Sequence, residues 1–328
     1  MDTFFSHLII NMDHQLIITI FIFILLLYLL ILTHSRECLE HTSLVDIEYF
    51  KFWNFGKGEK EMFDTYFKYI FQDLAGLYKI RVYSVFDGNL PSKEAGILNV
   101  QFSGESRYEN PELFDLNLIP EPFSRDPFTI PTLLGGMHLY LHDLLHKSFR
   151  QRNFFSDIKV RRKFCSFVVS NGSASDRIRF FHQLNKYRDV DSCGRWNNNV
   201  DFQIPDINSQ EYYEFIGGYK FQICFENVQK PWYFTEKLIN AYIGGCIPIY
   251  MGSKNVGEFL NTNAFVWIKD SSKKSFSKAI NQIIEMDTND QKYRVMYEEH
   301  LFRDNILPSV MDINNIRLTI GSHFLNNI

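Results

Sequence analysis

FQICFENVQKPWYFTEKLINAYIGGCIPIYMGSKNVGEFL, residues 221–260, holds the most regular pattern in the chain. It opens with an apolar run typical of a buried strand, and an aromatic loop follows. Thr235 is well placed to cap a helix that begins with Glu236 and Lys237. A second apolar run, CIPIYM at 246–251, reads as the next strand. Strand, helix and strand at this short spacing predict parallel α/β layers.

The helix start at Thr235 also predicts an anion site. Unpaired backbone N–H groups and the positive end of the helix dipole point into the crevice at the carboxyl end of a parallel strand. Lys237 in the first turn opposes that dipole, a cost that makes sense if its ammonium binds a phosphate. A solvated first-turn lysine is the alternative and carries equal weight on these residues alone.

The same alternation extends outward in both directions and predicts two Rossmann-like domains that meet near residue 150. Five prolines between residues 109 and 131 predict a loop or linker there. The predicted strands lie at 47–53, 78–86, 97–103, 164–170, around 189–192, 219–226 and 246–251. The predicted helices lie at 59–74, 133–149, 174–187 and 235–245.

Composition excludes several classes of protein. The 328 residues carry 34 basic and 38 acidic side chains, so the net charge of −4 does not indicate a nucleic-acid partner. A hydrophobic share of 45% excludes intrinsic disorder as the main state. The five cysteines show no C-x-x-C spacing, and those at 165, 224 and 246 lie in apolar runs that favour buried thiols.

Residues 16–32 form 17 consecutive residues without a charge, at the short end of what spans a bilayer. We therefore expect an N-terminal tail at 1–15, a transmembrane anchor at 16–33 and a short stem at 34–43. A cleaved signal peptide or a buried helix is the alternative, although no Lys or Arg precedes the run. Charges at its flanks slightly favour a cytosolic C-terminus.

Several motifs together resemble family 10 of the glycosyltransferases, the α-1,3/4-fucosyltransferases. They are YKF at 219–221, FEN at 225–227, YFTEK at 233–237 and IPIYMG at 247–252. Three upstream blocks are also similar to the family, namely 102–115, 163–181 and 190–199, so the resemblance covers roughly residues 97–260. It implies a fold of two Rossmann-like domains (GT-B type), with an acceptor-binding domain at 44–150 and a donor-binding domain at 151–328.

The resemblance also implies roles for residues at matching positions. Glu105 would be the general base that deprotonates the acceptor hydroxyl. Arg177 would meet the donor diphosphate, with Arg179 as the alternative in register. Lys237 would neutralise the leaving diphosphate and Glu236 would bind the ribose hydroxyls. The rest of the nucleotide-binding set is Tyr233, Glu226 and Asn227.

The implied reaction is inverting transfer of fucose from GDP-fucose to a hydroxyl of a glycan or glycoprotein, with α-1,3 linkage to N-acetylglucosamine expected. No cofactor or metal is expected: Asp189-Val190-Asp191 matches the D-x-D metal pattern of other glycosyltransferases but falls at a strand-to-loop position. The anchor is similar to the type II arrangement of Golgi members and implies a single-pass membrane protein.

Two departures, Met251 for the family's usual Trp and Phe234 for its usual Val, leave a transferase for another nucleotide sugar as an alternative. A catalytically inactive, membrane-anchored glycan-binding protein is the third reading.

Overall fold

The computed structural model describes residues 44–50, 52, 59–85, 91–157, 162–204 and 207–326. The predicted tail, anchor and stem at 1–43 lie outside these residues, as does Cys38. Within the described ranges, no helix has the length and apolar character needed to cross a membrane.

Two sheets with mainly parallel strands organise the described chain, as the α/β alternation predicts. The first sheet has the order β1-β2-β3-β4-β6-β5, and only the pair β5 and β6 is antiparallel. Its strands are β1 Asp46–Phe50, β2 Lys79–Tyr83, β3 Ile97–Phe102, β4 Leu116–Ile119, β5 Ser124–Arg125 and β6 Phe128–Pro131.

The second sheet is parallel throughout and has the order β11-β10-β9-β7-β8. Its strands are β7 Lys163–Phe167, β8 Val190–Ser192, β9 Tyr219–Ile223, β10 Ile247–Tyr250 and β11 Val266–Trp267. The chain goes from β7 outward to β8 and then returns to the other side of β7 to form β9. Strand order reverses at this point, and such a reversal leaves a crevice for ligands at the carboxyl ends of β7 and β9.

Helices cover both sheets. They are α1 Glu59–Phe71, α2 Leu134–Leu141, α3 Leu145–Ser148, α4 Phe154–Asp157, α5 Ser175–Leu184, α6 Gln210–Gly217, α7 Glu236–Ile243, α8 Lys273–Thr288, α9 Asp290–Tyr297 and α10 Ile313–Leu325.

The prediction of a loop across residues 109–131 is wrong. β4 is buried along all four residues, and β6 pairs with it in parallel. Pro111 precedes β4, the prolines at 120, 122 and 127 lie between β4 and β6, and Pro131 ends β6. The prediction from prolines missed two short strands, because four consecutive apolar or amide residues are enough to form a buried strand in a parallel sheet.

The predicted single helix at 133–149 is also wrong in part, because it divides into α2 and α3. Asp143 between them has φ 50°, a left-handed conformation that cannot continue a helix. Five described helices, α4, α6, α8, α9 and α10, have no counterpart in the sequence-based prediction.

The last helix, α10, returns to the first sheet. Ile313, Ile316 and Ile320 belong to the apolar cluster that contains α1 and the strands of that sheet. Arg317 forms an ion pair with Asp73 at 2.8 Å. The range 151–328 expected for the donor domain therefore includes a helix whose packing partners belong to the first unit, although the domain ranges themselves stay predictions.

Cys165, Cys193, Cys224 and Cys246 are free and buried. The prediction of buried thiols at 165, 224 and 246 is confirmed. Burial raises the pKa of each of these three thiols, so they stay protonated and unreactive at neutral pH.

A polar contact joins the two units between α2 and α7. His138 lies 5% exposed, and its Nε2 is 2.8 Å from Oδ1 of Asn240. Gly135 at the start of α2 donates its N–H to the carbonyl of Phe234 at 3.1 Å, and a Cβ there would stand 2.4 Å from the Phe234 ring. Only glycine permits this close approach.

We predict that His138 makes stability fall with acid. Burial, and then the facing His142, lowers its pKa from 6.5 to about 4; Lys237 acts in the same sense, while Glu236 and Asn240 oppose it. Between pH 7 and pH 5, His138 becomes protonated in the unfolded chain but stays neutral in the folded chain. Its contribution should therefore lower the free energy of unfolding by about 1–2 kcal/mol over this range.

Chemical denaturation of the wild type and of His138→Gln at both pH values measures this contribution. The wild type should lose more stability than the variant on acidification. An equal loss in both proteins would contradict the assignment.

Candidate active site

The candidate site lies where strand order reverses in the second sheet, and Glu226 is its centre. Glu226 follows β9 and is 3% exposed. Its Oε1 accepts a hydrogen bond from the backbone N–H of Thr235 at 2.8 Å, and its Oε2 accepts from the Thr235 hydroxyl at 2.7 Å. The loop between β9 and α7 is thus closed on itself by one buried carboxylate.

Thr235 occupies the cap position before α7, as predicted, but the expected side-chain cap is absent. Its hydroxyl points to Glu226 instead of to the helix N–H groups. The α7 start therefore has no side-chain oxygen from Thr235 on its first-turn donors, which suits a site that receives an anion from outside.

Lys237 lies among oxygen atoms at this helix start. Its Nζ is 2.9 Å from the Thr235 hydroxyl, 3.2 Å from Oε1 of Glu236 and 3.5 Å from Oε2 of Glu226. Its side chain is 25% exposed, whereas that of Glu226 is fully buried. The ammonium is thus oriented by two carboxylates while a quarter of the side chain still faces solvent.

The electrostatics follow from one ammonium shared between two carboxylates. Burial raises the pKa of Glu226 despite the nearby Lys237. At Glu236 burial acts in the same direction, but the Lys237 charge and backbone N–H groups outweigh it and lower the pKa. Burial opposes the charge of Lys237, yet the two carboxylates raise its pKa further above its ordinary value. Lys237 is therefore a fixed cation at neutral pH.

Arg177 approaches the same crevice from α5. It is 2% exposed, and its Nη1 donates to Oδ1 of Asn227 at 3.1 Å while its Nη2 donates to the carbonyl of Asn171. Its Nε is buried and has no hydrogen-bond partner among the described residues. Burial lowers the pKa of Arg177, although a guanidinium remains charged at neutral pH.

The alternative Arg179 lies elsewhere. It pairs with Asp176 at 3.0 Å, lies 4.9 Å from the ring centroid of Phe276 and donates to the carbonyl of Ser271. Of the two arginines, Arg177 is the one that the structure brings to Glu226 and Asn227.

Glu105 comes from the first sheet, after the carboxyl end of β3. Its backbone N–H donates to the hydroxyl of Ser103 at 3.1 Å, and that buried hydroxyl is 2.6 Å from the carbonyl of Arg107. Burial, then the charge of Glu226, raises the pKa of Tyr233, and the charge of Glu105 adds to the effect. Glu105 is therefore near enough to Tyr233 for its charge to act on that hydroxyl.

Lys230 links the two loops that carry these residues, a contact that sequence reasoning missed. Its Nζ lies 4.1 Å from the ring centroid of Tyr108 and 3.4 Å from both Oε1 of Glu121 and the carbonyl of Ser106. No motif marks it, because its partners are more than a hundred residues away along the chain. This cation fixes the loop between β9 and α7 against the segments that follow β3 and β4.

The two departures from the family pattern are buried. Met251 is 5% exposed in the apolar core of the second sheet, and Phe234 is 1% exposed in the cluster between α2 and α7. Both side chains pack inside the protein, so they affect the site through the positions of the strands and helices that carry it.

In the D-x-D motif, Asp191 is engaged in structural contacts. Oδ2 of Asp191 accepts from the Tyr219 hydroxyl at 2.6 Å and pairs with Lys163 at 2.8 Å. Across the part of the chain that the structure describes, no group of three or more His, Cys, Asp or Glu side chains is arranged to hold a metal ion.

Comparison with known proteins agrees with this geometry. The model of the family "Glycosyltransferase family 10 (fucosyltransferase) C-term" matches residues 158–304. An alpha-(1,3)-fucosyltransferase of Helicobacter pylori is 38% identical over 141 residues, which are 43% of this chain and 28% of that protein. Alpha-(1,3)-fucosyltransferase 4 of Bos taurus is 31% identical over 159 residues, 47% of this chain and 38% of that protein. The chain thus matches well under half the length of these curated relatives.

Two solved structures share the fold. A crystal structure of an alpha1,3-fucosyltransferase gives a TM-score of 0.67 at 21% identity and covers 87% of this chain and 91% of that one. A structure of an alpha1,3-fucosyltransferase with GDP-fucose gives 0.63 at 22% identity, with coverage of 84% and 90%. The resemblance seen in the sequence is confirmed: residues 158–304 match the model of family 10 of the glycosyltransferases.

Proposed function

We propose that the protein is an inverting fucosyltransferase that moves fucose from GDP-fucose to a hydroxyl of a glycan, with α-1,3 linkage to N-acetylglucosamine. The observation that carries the proposal is that Lys237 and Arg177 converge on Glu226 and Asn227, while Lys230 in the following loop contacts the carbonyl of Ser106, next to Glu105. Two cations suit a diphosphate, and a carboxylate from the opposite unit suits an attacking hydroxyl. The names of the similar proteins support fucose as the sugar.

On the donor side, the first-turn N–H groups of α7 and the two cations receive the diphosphate of the nucleotide sugar. Arg177 has an unpartnered Nε and a planar fork for phosphate oxygens. Lys237 neutralises the charge that grows on GDP as the bond between the anomeric carbon and the phosphate oxygen breaks. Glu236 faces the ribose hydroxyls as acceptor. Direct contact of Glu226 with the nucleotide stays a prediction, because its oxygens hold Thr235.

On the acceptor side, the Glu105 carboxylate takes the hydroxyl proton while the acceptor oxygen forms its bond to the anomeric carbon. Attack from the face opposite to the diphosphate inverts the configuration. GDP leaves with the electron pair of the broken bond, so the reaction needs no oxidant, reductant or resident cofactor.

Transfer of a different sugar is the second candidate. Met251 and Phe234 pack in apolar clusters, so neither departure adds a polar group that could select a different sugar. The inactive glycan-binding protein is disfavoured by a buried cluster of Glu226, Glu236 and Lys237. In a protein without catalytic function, replacing such buried charges with apolar residues would increase the stability of the fold.

We also propose that residues 16–33 anchor the chain as a single-pass membrane protein of type II, as in the Golgi. A helix over the 17 uncharged residues would be about 25 Å long, close to the hydrocarbon thickness of a bilayer. Alkaline carbonate extraction of the full chain should leave it in the membrane pellet. Its release into the supernatant would contradict the anchor and leave the enzyme proposal intact.

Replacing Glu105 with Gln should lower the rate of transfer by on the order of 10²-fold or more, because the amide keeps the size of the side chain and removes the base. GDP affinity should change little, since the nucleotide contacts belong to the second sheet. Initial rates of GDP release with acceptor present, together with calorimetric titration of GDP, measure both effects.

Glu109→Gln is the matched control for Glu105→Gln. Glu109 lies in the same loop, is exposed and contacts Gln101 through its backbone N–H. Its variant should keep near-normal transfer. If Glu109→Gln lost activity while Glu105→Gln kept it, the base would be misassigned.

The arginine register can be tested with a pair of variants in α5. Arg177→Gln should weaken GDP-fucose binding by about tenfold or more, because it removes a charged donor from the diphosphate. Arg179→Gln should leave binding unchanged, since that side chain faces Asp176. Lys237→Ala should weaken both binding and turnover. Equal effects of the two arginine variants would contradict the placement of the diphosphate.

A further inference from the structure

A second polar cavity, of about 470 Å³, lies at the amino ends of β9 and β10. Its wall includes Gly217 and Gly218, which precede β9, and Gly244 and Gly245, which precede β10. The candidate active site follows the carboxyl end of β9. Because these strands are parallel, the cavity and the active site lie at opposite ends of the second sheet.

The cavity is strongly basic. Four cationic side chains line it, Lys147, Arg150, Arg152 and Arg162, against the single carboxylate of Asp157. That carboxylate pairs with Arg150 at 2.5 Å. Within the described ranges the other three cations have no ion-pair partner, so the wall carries positive charge without a counter-ion.

Arg152 is the most constrained of these cations. It is 5% exposed and lies between the rings of Tyr242 and Tyr297, 4.4 Å and 3.9 Å from their centroids. Its Nη2 donates to the carbonyl of Cys246 at 2.8 Å. Its Nε and Nη1 are buried without a hydrogen-bond partner among the described residues. A buried guanidinium with free donors is costly unless an acceptor reaches it.

Arg162 stands beside it. Its guanidinium donates to the carbonyl of Gly245 and lies 5.5 Å from the centroid of the Tyr297 ring. Two guanidinium groups against one aromatic ring present several N–H donors in planar forks, an arrangement that matches phosphate oxygens better than a single carboxylate.

We propose that this cavity binds a phosphate-bearing anion at a site separate from the donor nucleotide, with Arg152 and Arg162 as its principal ligands and Lys147 and Arg150 at its mouth. The volume exceeds that of inorganic phosphate and falls in the range of small-molecule sites, roughly 300–1,000 Å³. The ligand is therefore a phosphorylated molecule whose remaining part fills the cavity. A soluble phosphate ester and an anionic lipid headgroup share this chemistry.

Calorimetric titration of the full chain in detergent with inorganic pyrophosphate tests the proposal. Arg162→Gln should lower pyrophosphate affinity by about tenfold, because a charged donor is lost. Lys163→Gln is the matched control, since Lys163 is the next residue but is exposed and pairs with Asp191. A donor-site variant, Lys237→Ala, should retain the pyrophosphate site, which separates it from the nucleotide site and from the proposed fucosyltransferase activity.

Titration with a short-chain phosphatidic acid distinguishes the sources: tighter binding than pyrophosphate assigns a lipid headgroup, and weaker binding assigns a soluble ester. Arg152→Met is a second variant of the proposed site. If Arg152→Met does not fold, Lys147→Ala replaces it, because Lys147 is exposed and its substitution leaves the core unchanged. The proposal is overturned if wild type binds no pyrophosphate at millimolar concentration, if Arg162→Gln binds as well as wild type, or if Lys237→Ala abolishes binding.

Discussion

The buried carboxylate of Glu226 is the constraint on which the candidate site depends. It receives both the N–H and the hydroxyl of Thr235, and it lies 3.5 Å from the ammonium of Lys237. These contacts set where α7 begins and where its first-turn cation points. A buried carboxylate without these partners would destabilise the fold by several kcal/mol. The contacts of Glu226 therefore hold the loop in place. Gly252 lies against the same side chain, because a Cβ there would stand 2.4 Å from both Cγ of Glu226 and the Tyr250 hydroxyl.

The two sheets make the site because each contributes the carboxyl end of a strand. β9 leads to Glu226 and Lys237, whereas β3 leads to Glu105. Their loops are joined by Lys230, and the helices behind them by His138 and Asn240. The proposed base and the proposed phosphate site thus come from separate units, which suits the proposed reaction between two substrates. The return of α10 to the first sheet further ties the second half of the chain to the first.

Much of this arrangement was accessible from the sequence. The 221–260 pattern predicted β9, α7 and β10, because a buried strand and an amphipathic helix each have a distinct period. The set Glu105, Arg177, Tyr233, Glu236 and Lys237 came from motifs. The structure places Arg177, Glu236 and Lys237 around Glu226 and Asn227, and Lys230 joins their unit to the loop that carries Glu105. Prediction from the local sequence was wrong around β4, because the prolines there indicate a loop while the segment is buried in the first sheet. It also gave no sign of Lys230, Arg152 or the return of α10, since these depend on contacts between residues far apart in the chain.

The central claim is that the crevice binds GDP-fucose and transfers its sugar. The most direct measurement is GDP release by the purified protein with several nucleotide sugars, with and without a glycan that ends in N-acetylglucosamine. We expect GDP release from GDP-fucose only when the glycan is present, with fucose appearing on the acceptor. Preference for another nucleotide sugar, or glycan binding without release from any of them, would contradict it.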